Sequence, residues 1–492
     1  MTFNSLQYFA FLALVLLLYY RLRMNGQNRL IVVAGSVFYG AFDWRFLGLL
    51  YISTITDYIV GRALGNAQSD RARKALVGVS LVVQLGILAF FKYADFFADS
   101  AQRFMALFGL EADPFTLNVL LPVGISFYTF QTLAYIFAVY RRQLEPERNL
   151  VTFAAFVAWF PQMVAGPIER APSLLSQIRR RRDWPGAARA ESAVLVILRG
   201  LVKKVVIADS IAPYVTEVYT SPGSFRWSAL VLATVGFALQ VYGDFSGYSD
   251  IARGSSRLLG VELRRNFEQP FLSRDIRELW QRWHTSLGGW FVEHVAQPLG
   301  GSRRGPRRAA LNVLLVFTLI GLWHGAAWTF VAWGFFNGLL VTLWRRRPVP
   351  PGRHPMLVRW REAPAIAFTF GLFCLGVVLF RAETFADAGR VLRGVLTLQD
   401  GTEPASSGWI IPLMLVAVIA LDLSERHHRI RAIESLRVRM NLGGVPTPAE
   451  AAAESYLDGS SAVRAGVLVG VMVGALVLFS GAPPTPFIYF QF

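Results

Sequence analysis

Two histidines stand where an ionisable side chain is costly. His324 lies in LIGLWHGAAWTF, at the junction of the apolar segments 309–322 and 327–344. A polar, titratable group in an apolar run is a functional candidate by default. An imidazole there can take a proton from a hydroxyl and support acyl transfer, or it can be a core histidine satisfied by a neighbouring carbonyl. Gly321 and Gly325 allow close backbone approach or a break in the helix. Trp323 and Trp328 can line a pocket or mark an interface. His284 is the second candidate, in DIRELWQRWHTSLGGWFVEHVAQPLGG. Asp275, Arg277, Glu278, Trp280, Arg282 and Trp283 make this stretch amphipathic and rich in Arg and Trp, as a helix lying in the membrane interface would be. That accounts for Arg and Trp but not for His284. The same arginines can hold the phosphates of an anionic donor. A third feature, VYGDFSGYSDIARGSSRLLG, sets Asp244 and Asp250 at the end of an apolar segment beside glycines and hydroxyls such as Ser246. A packed helix end or a polar cavity wall is the expectation there.

Other polar residues read more plainly. Ser126, Tyr128, Thr129 and Gln131 lie inside one apolar run, where polar groups need interhelical partners, so packing is expected. Tyr8, Tyr19 and Tyr20 have the placement of interfacial aromatics. His294, His354, His427 and His428 fall in polar, basic stretches and are expected to face solvent. Metal-ligand spacing, a Gly-rich nucleotide loop and a Ser-nucleophile elbow are all missing from the sequence. The one cysteine, Cys374, sits in an apolar run and reads as a small hydrophobe.

The elements that must position these groups follow from composition. The 492 residues are 54% hydrophobic and 16% charged, with a mean hydropathy of +0.42. Soluble chains carry about 25% charged residues. A disordered chain is excluded, and so is a soluble enzyme with one anchor, because apolar runs occur along the whole length. The formal charge of +17 comes from basic residues gathered between those runs, which points to membrane topology and anionic lipid rather than nucleic acid. The spans expected are 4–20, 30–42, 46–62, 76–93, 119–139, 191–209, 229–249, 309–322, 327–344, 363–380, 409–423 and 463–481. The first is expected to be a retained span, not a cleaved signal peptide, because Arg21, Arg23 and Arg29 follow it and no cleavage site does. Segment 150–166 is apolar but carries Pro161, Gly166 and Pro167, and basic clusters flank it on both sides (Arg141, Arg142 and Arg148; Arg179 to Arg182). It is expected to dip in and return. With twelve crossings and that re-entrant segment, the clusters Arg71, Arg73 and Lys74, the eleven arginines of 250–308, Arg345 to Arg347 and Arg426 to Arg431 all face inward, and both termini lie outside. His284 then sits on an inner loop and His324 deeper or toward the outer face. The outer loops 94–118, 210–228 and 381–408 are expected to be short.

Taken together, LPVGISFYTFQTLAYIFAVYRR (121–142), WFPQMVAGPIER (159–170), DFSGYSDIA (244–252), NFEQPFLSRDIRELWQRWHTSL (266–287), LGGSRRG (299–305), GLWHGAAWTFVAWG (321–334) and PFIYFQF (486–492) resemble the membrane-bound O-acyltransferases. The similarity is to the bacterial branch of alginate O-acetylation membrane proteins, with D-alanyl-lipoteichoic acid transferases as relatives. It spans nearly the whole chain, and the pair RWHTSL and GLWHG carries its specificity. The sequence departs from the branch after His284, where GGWFVEHVAQPLGG is less polar and less tyrosine-rich.

The resemblance implies an all-α polytopic membrane protein of about 11–13 transmembrane segments, with re-entrant and interfacial helices around a funnel or tunnel. It implies a single domain over 1–492: N-terminal helices in 1–110, a motif-bearing core in 119–345 and C-terminal helices in 363–492. It implies that His324 is the catalytic histidine and His284 the second motif histidine. Arg282, Arg277, Trp283 and Asn266 are candidates for donor binding, and Asp244, Ser246 and Trp323 for a polar cavity. No cofactor is expected; acetyl-CoA or another acyl thioester is the donor substrate. The expected acceptor is an extracytoplasmic polysaccharide, reached through an exported SGNH-type acetyltransferase partner, at the bacterial inner membrane. Two other classes compete: a transporter or flippase with an intramembrane histidine, and a scaffold of a polysaccharide export complex.

Overall fold

The computed structural model describes residues 1–110, 117, 120–164, 166–344, 360–440, 462–479 and 485–488, and of these all side chains but those of 426–440, 462–465 and 468. His354 and Arg345 to Arg347, and the side chains of Arg426, His427, His428, Arg429 and Arg431, lie outside the described set. In hydrocarbon every backbone N–H and C=O must be satisfied internally, so helices are the solution for spanning segments of this kind. Among the described residues the one β pairing is an isolated bridge between Phe225 and Thr402. Among the described residues, five helical stretches are long and apolar enough to cross a membrane: Met24–Asn66, Asp70–Ala106, Trp227–Leu258, Pro306–His324 and Trp360–Arg381. Leu6–Tyr19, Ile125–Tyr140, Trp328–Trp344 and Val469–Phe479 are shorter apolar helices. The chain is an all-α, multi-pass integral membrane protein.

Several elements refine the expectations. Met24–Asn66 is broken at Asp43, whose backbone is extended and whose side chain caps the 3-10 turn Trp44–Phe46. Beyond the break the chain folds back, since the Ser36 and Tyr51 hydroxyls hydrogen-bond. The expected outer loop from 94 is instead helical to Ala106, continued through a π-helical turn at Ala89–Tyr93. Segment 150–166 begins with Leu150–Val157, N-capped by Asn149, which accepts the Thr152 N–H at 3.1 Å. Eight residues span about 12 Å, too short to cross. The turns that follow, 158–164, are buried, as irregular backbone must be at depth.

The chain forms two compact units. The first comprises Met1–Trp184, Ser255–Arg264 and Gly325–Ala327. Here Asp57 is fully buried and accepts hydrogen bonds from Ser80 Oγ (2.6 Å) and Gln84 Nε2 (2.9 Å), joining helix Leu47–Asn66 to Asp70–Ala106. Gln131 donates to the Phe156 carbonyl at 2.7 Å, so the polar residues of 125–140 do pack helices together. Tyr8 and Tyr19, expected at an interface, are instead fully buried. Arg182 Nε donates to the Tyr19 hydroxyl at 2.6 Å, which draws that ring inward.

The second unit comprises Pro185–Gly254, Arg265–His324 and Trp328–Phe492. Two expected outer loops meet in it: Arg226 N–H donates to the Thr402 carbonyl (3.2 Å), and Ala405 N–H donates to Glu217 (2.6 Å). That agrees with a layout placing 210–228 and 381–408 on one side.

Candidate active site

The hairpin that carries His324 is built from Pro306–His324 and Trp328–Trp344. Glycine permits its closeness: a Cβ at Gly321 would lie 2.2 Å from the Phe330 carbonyl oxygen, and one at Gly334 would lie 2.3 Å from that of Phe317. His324 is the last residue of its helix and is 3% exposed. Aromatic rings enclose it: Trp323 at 5.0 Å, Trp333 at 5.2 Å and Phe380 at 5.2 Å between centroids. Beside it lies an apolar cavity lined by Val241, Trp283, Trp333, Phe373, Val377 and Phe380. It has room for about one water molecule or a methyl group. Asp244, Ser246 and Trp323 are not among its lining residues.

His284 is set by a tight local structure. Asp275 caps helix Ile276–Arg282 by accepting the Arg277 and Glu278 N–H groups at 2.9 and 3.0 Å. Loop residues 266–268 run along the end of that helix: Glu268 N–H donates to the Arg282 carbonyl and Thr285 N–H to the Asn266 carbonyl, both at 2.9 Å. Ser286 Oγ donates to Asn266 Oδ1 at 2.6 Å. Between these ties His284 takes a left-handed backbone, φ 43°, at the N-cap of Thr285–Phe291. Its ring is 3% exposed, packs edge-on against Phe245 at 4.6 Å, and meets Trp323 at 5.8 Å. Beyond its own backbone, neither ring nitrogen finds a hydrogen-bond partner among the described residues. Burial pushes this imidazole down from 6.5 to about 3, so it is neutral at physiological pH. The two histidines therefore arrive from separate elements, and each contacts the ring of Trp323.

The remaining predicted donor-binding residues are less free. Arg282 Nη2 pairs with Glu278 at 2.5 Å, and Arg277 Nη2 lies 3.7 Å from Asp275. The tryptophans in and after helix Ile276–Arg282 pack on protein. Trp280 packs on Trp333 (5.6 Å) and Phe317 (5.3 Å), and Trp283 packs on Phe373 (4.9 Å). Trp283 lines the His324 cavity, and Trp280 packs on its wall residue Trp333. His294, expected in solvent, is half-buried against Trp290 at 5.0 Å.

Asp244 and Asp250 lie in the interior of a continuous helix, Trp227–Leu258, not at its end. Polar residues persist there because a basic segment faces them. Gly200 and Gly247 let the backbones approach so closely that a Cβ on Gly200 would lie 2.6 Å from the Gly247 carbonyl. The π-helical Val202–Asp209 then presents Lys203 to Asp250 (2.6 Å) and Lys204 to Asp244 (2.6 Å) and Asp209 (2.8 Å). Glu425 bridges Arg199 and Arg265, the latter at 2.6 Å. The lysines were overlooked in the sequence, although RGLVKKVVIADS announces two cations inside an apolar segment.

The all-α membrane fold agrees with what comparison with known proteins finds. Residues 7–378 match the membrane-bound O-acyltransferase family. The chain is 34% identical to a probable alginate O-acetylase of Pseudomonas putida, over 98% of each chain. It is 37% identical to the probable alginate O-acetylase of Azotobacter vinelandii, over 80% of this chain and 77% of that one. It is 29% identical to the peptidoglycan O-acetyltransferase of Helicobacter pylori, over 79% and 78%. The chain belongs to the membrane-bound O-acyltransferase family and is an O-acyltransferase.

Proposed function

We propose that this protein moves an acetyl group from a cytoplasmic thioester, acetyl-CoA or an acyl carrier, toward hydroxyls of an extracytoplasmic polysaccharide at the bacterial inner membrane. His324 and His284 carry the chemistry. The observation that supports this most strongly is the pair of buried imidazoles joined through Trp323. The relatives' names support a polysaccharide acceptor and an acetyl group. The methyl-sized cavity beside His324 suits a short acyl group.

In this reading His324 takes the proton of the acceptor hydroxyl as its oxygen attacks the thioester carbonyl. The C–O bond forms, the C–S bond breaks, and the proton passes to the leaving thiolate. His284 stays neutral and orients the thioester. Burial among aromatic rings keeps competing water away. Arg277 and Arg282, each already beside a carboxylate, and Asn266 and Trp283 form the donor side. An exported acetyltransferase of SGNH type completes delivery to the polymer. Only the acyl group crosses, because moving the charged carrier through hydrocarbon would be costly.

The test is in cells: acetyl content of the exported polymer in wild type, His324→Ala and His284→Ala, at matched membrane levels. Loss of acetyl groups with export unchanged is expected. Retained acetylation in His324→Ala would remove its role, and loss of export itself would favour a transporter or scaffold.

A further inference from the structure

Asp244 is buried in helix Trp227–Leu258 and is bound on both oxygens. Oδ1 lies 2.6 Å from Lys204 Nζ, and Oδ2 accepts the backbone N–H of Ile488 at 2.6 Å. Lys204 Nζ also donates to the carbonyl and hydroxyl of Thr485, at 3.0 and 3.2 Å. The Thr485 hydroxyl in turn donates to Asp209. One lysine here faces two carboxylates, Asp209 and Asp244, both almost fully buried. A buried charge needs a partner or hydrogen bonds. The Ile488 N–H and the Thr485 hydroxyl supply donors that the lysine alone does not. The hub is complete only with residues 485–488 in place.

Between the two anchors sits Phe487, with no exposed surface. Its ring lies 4.4 Å from that of Tyr248 and 5.9 Å from that of Phe245. Phe245 is the ring that packs against His284 at 4.6 Å. We propose that Lys204, Asp209 and Asp244 form an intramolecular docking site for the C-terminal segment 485–488, and that Phe487, seated there, holds Phe245 against His284. These are positioning residues for acyl transfer, and the proposal rests on the reading of His284 given above. It also gives Asp244 a role other than lining a cavity.

Ile488→Pro removes the N–H that Asp244 accepts and keeps an apolar side chain. Phe487→Ala removes the ring, and Phe487→Leu restores much of its volume. Each full-length variant is purified and assayed with acetyl-CoA, with kcat counted per folded molecule. Ile488→Pro and Phe487→Ala should lose about tenfold or more in kcat, with KM for acetyl-CoA little changed, because a small misplacement of a reacting group is enough. Phe487→Leu should recover most of the rate. A second measurement needs no turnover: modification of His284 by diethyl pyrocarbonate, followed by mass spectrometry, should speed up in both impaired variants at a temperature well below the Tm of each. Wild-type kcat together with unchanged His284 reactivity would overturn the proposal. If His324→Ala keeps full activity in the same assay while His284 reactivity responds as expected, the role given to His324 fails and the docking site stands.

Discussion

At His284 an unfavourable backbone and an unfavourable environment coincide. A left-handed φ on a non-glycine residue costs about 1–3 kcal/mol and persists only where the surroundings over-determine it. Here the Glu268 and Thr285 main-chain bonds do so. Asn tolerates this backbone better than most residues. His284→Asn should therefore fold with Tm close to wild type and lose transfer; a large fall in Tm would mark the histidine as structural. Its titration makes a second prediction. The unfolded chain protonates His284 near 6.5, whereas the folded protein resists until about 3. The stability from this site is full above 6.5 and drains as pH falls toward 3. The labelled His284 resonance should not titrate between pH 5 and 8, and a midpoint near 6.5 would contradict its burial. Both histidines were legible in the sequence, because an imidazole in an apolar or tryptophan-rich setting lacks a packing reason. That Trp323 joins them was not, since ring contacts across 40 residues leave no local pattern.

Among the elements, glycine and buried charge decide the geometry. A methyl at Gly321 meets a backbone oxygen, which cannot rotate away. Gly321→Ala should destabilise the hairpin by about 1–3 kcal/mol and shift His324, three residues on, so thermal unfolding and transfer should fall together. Lys204→Ala leaves two carboxylates buried without their cation. It should cost about 3–5 kcal/mol, and unchanged Tm would show that the hub is not what holds these helices. The helices themselves follow from apolar runs, and the short Leu150–Val157 follows from the prolines after it. The interior position of Asp244 and Asp250 was misread because a polar run normally ends a span. Their lysine partners were visible as types but not as partners. The Ile488 N–H carries no side-chain signature at all, so its pairing with Asp244 could not be read from residue types.

For the whole molecule, the layout rests on which loops share a side. Ser221 and Glu403 are exposed in the two joined loops, and Arg303 is exposed in a basic inner stretch. Cys374 is the one native cysteine and is buried, so Cys374→Ser gives a clean background. In that background Ser221→Cys and Glu403→Cys should react with an impermeant thiol reagent in intact cells, and Arg303→Cys only after lysis. Reaction of Arg303→Cys from outside would invert the topology and with it the direction of transfer. The enclosed histidine at the end of its hairpin is the centre of the account. The most direct measurement is the rate of acetyl transfer by purified His324→Ala, reconstituted in liposomes at wild-type Tm. A fall of about 10²–10⁴-fold is expected, the usual contribution of a positioned acid–base group. A rate equal to wild type would contradict it.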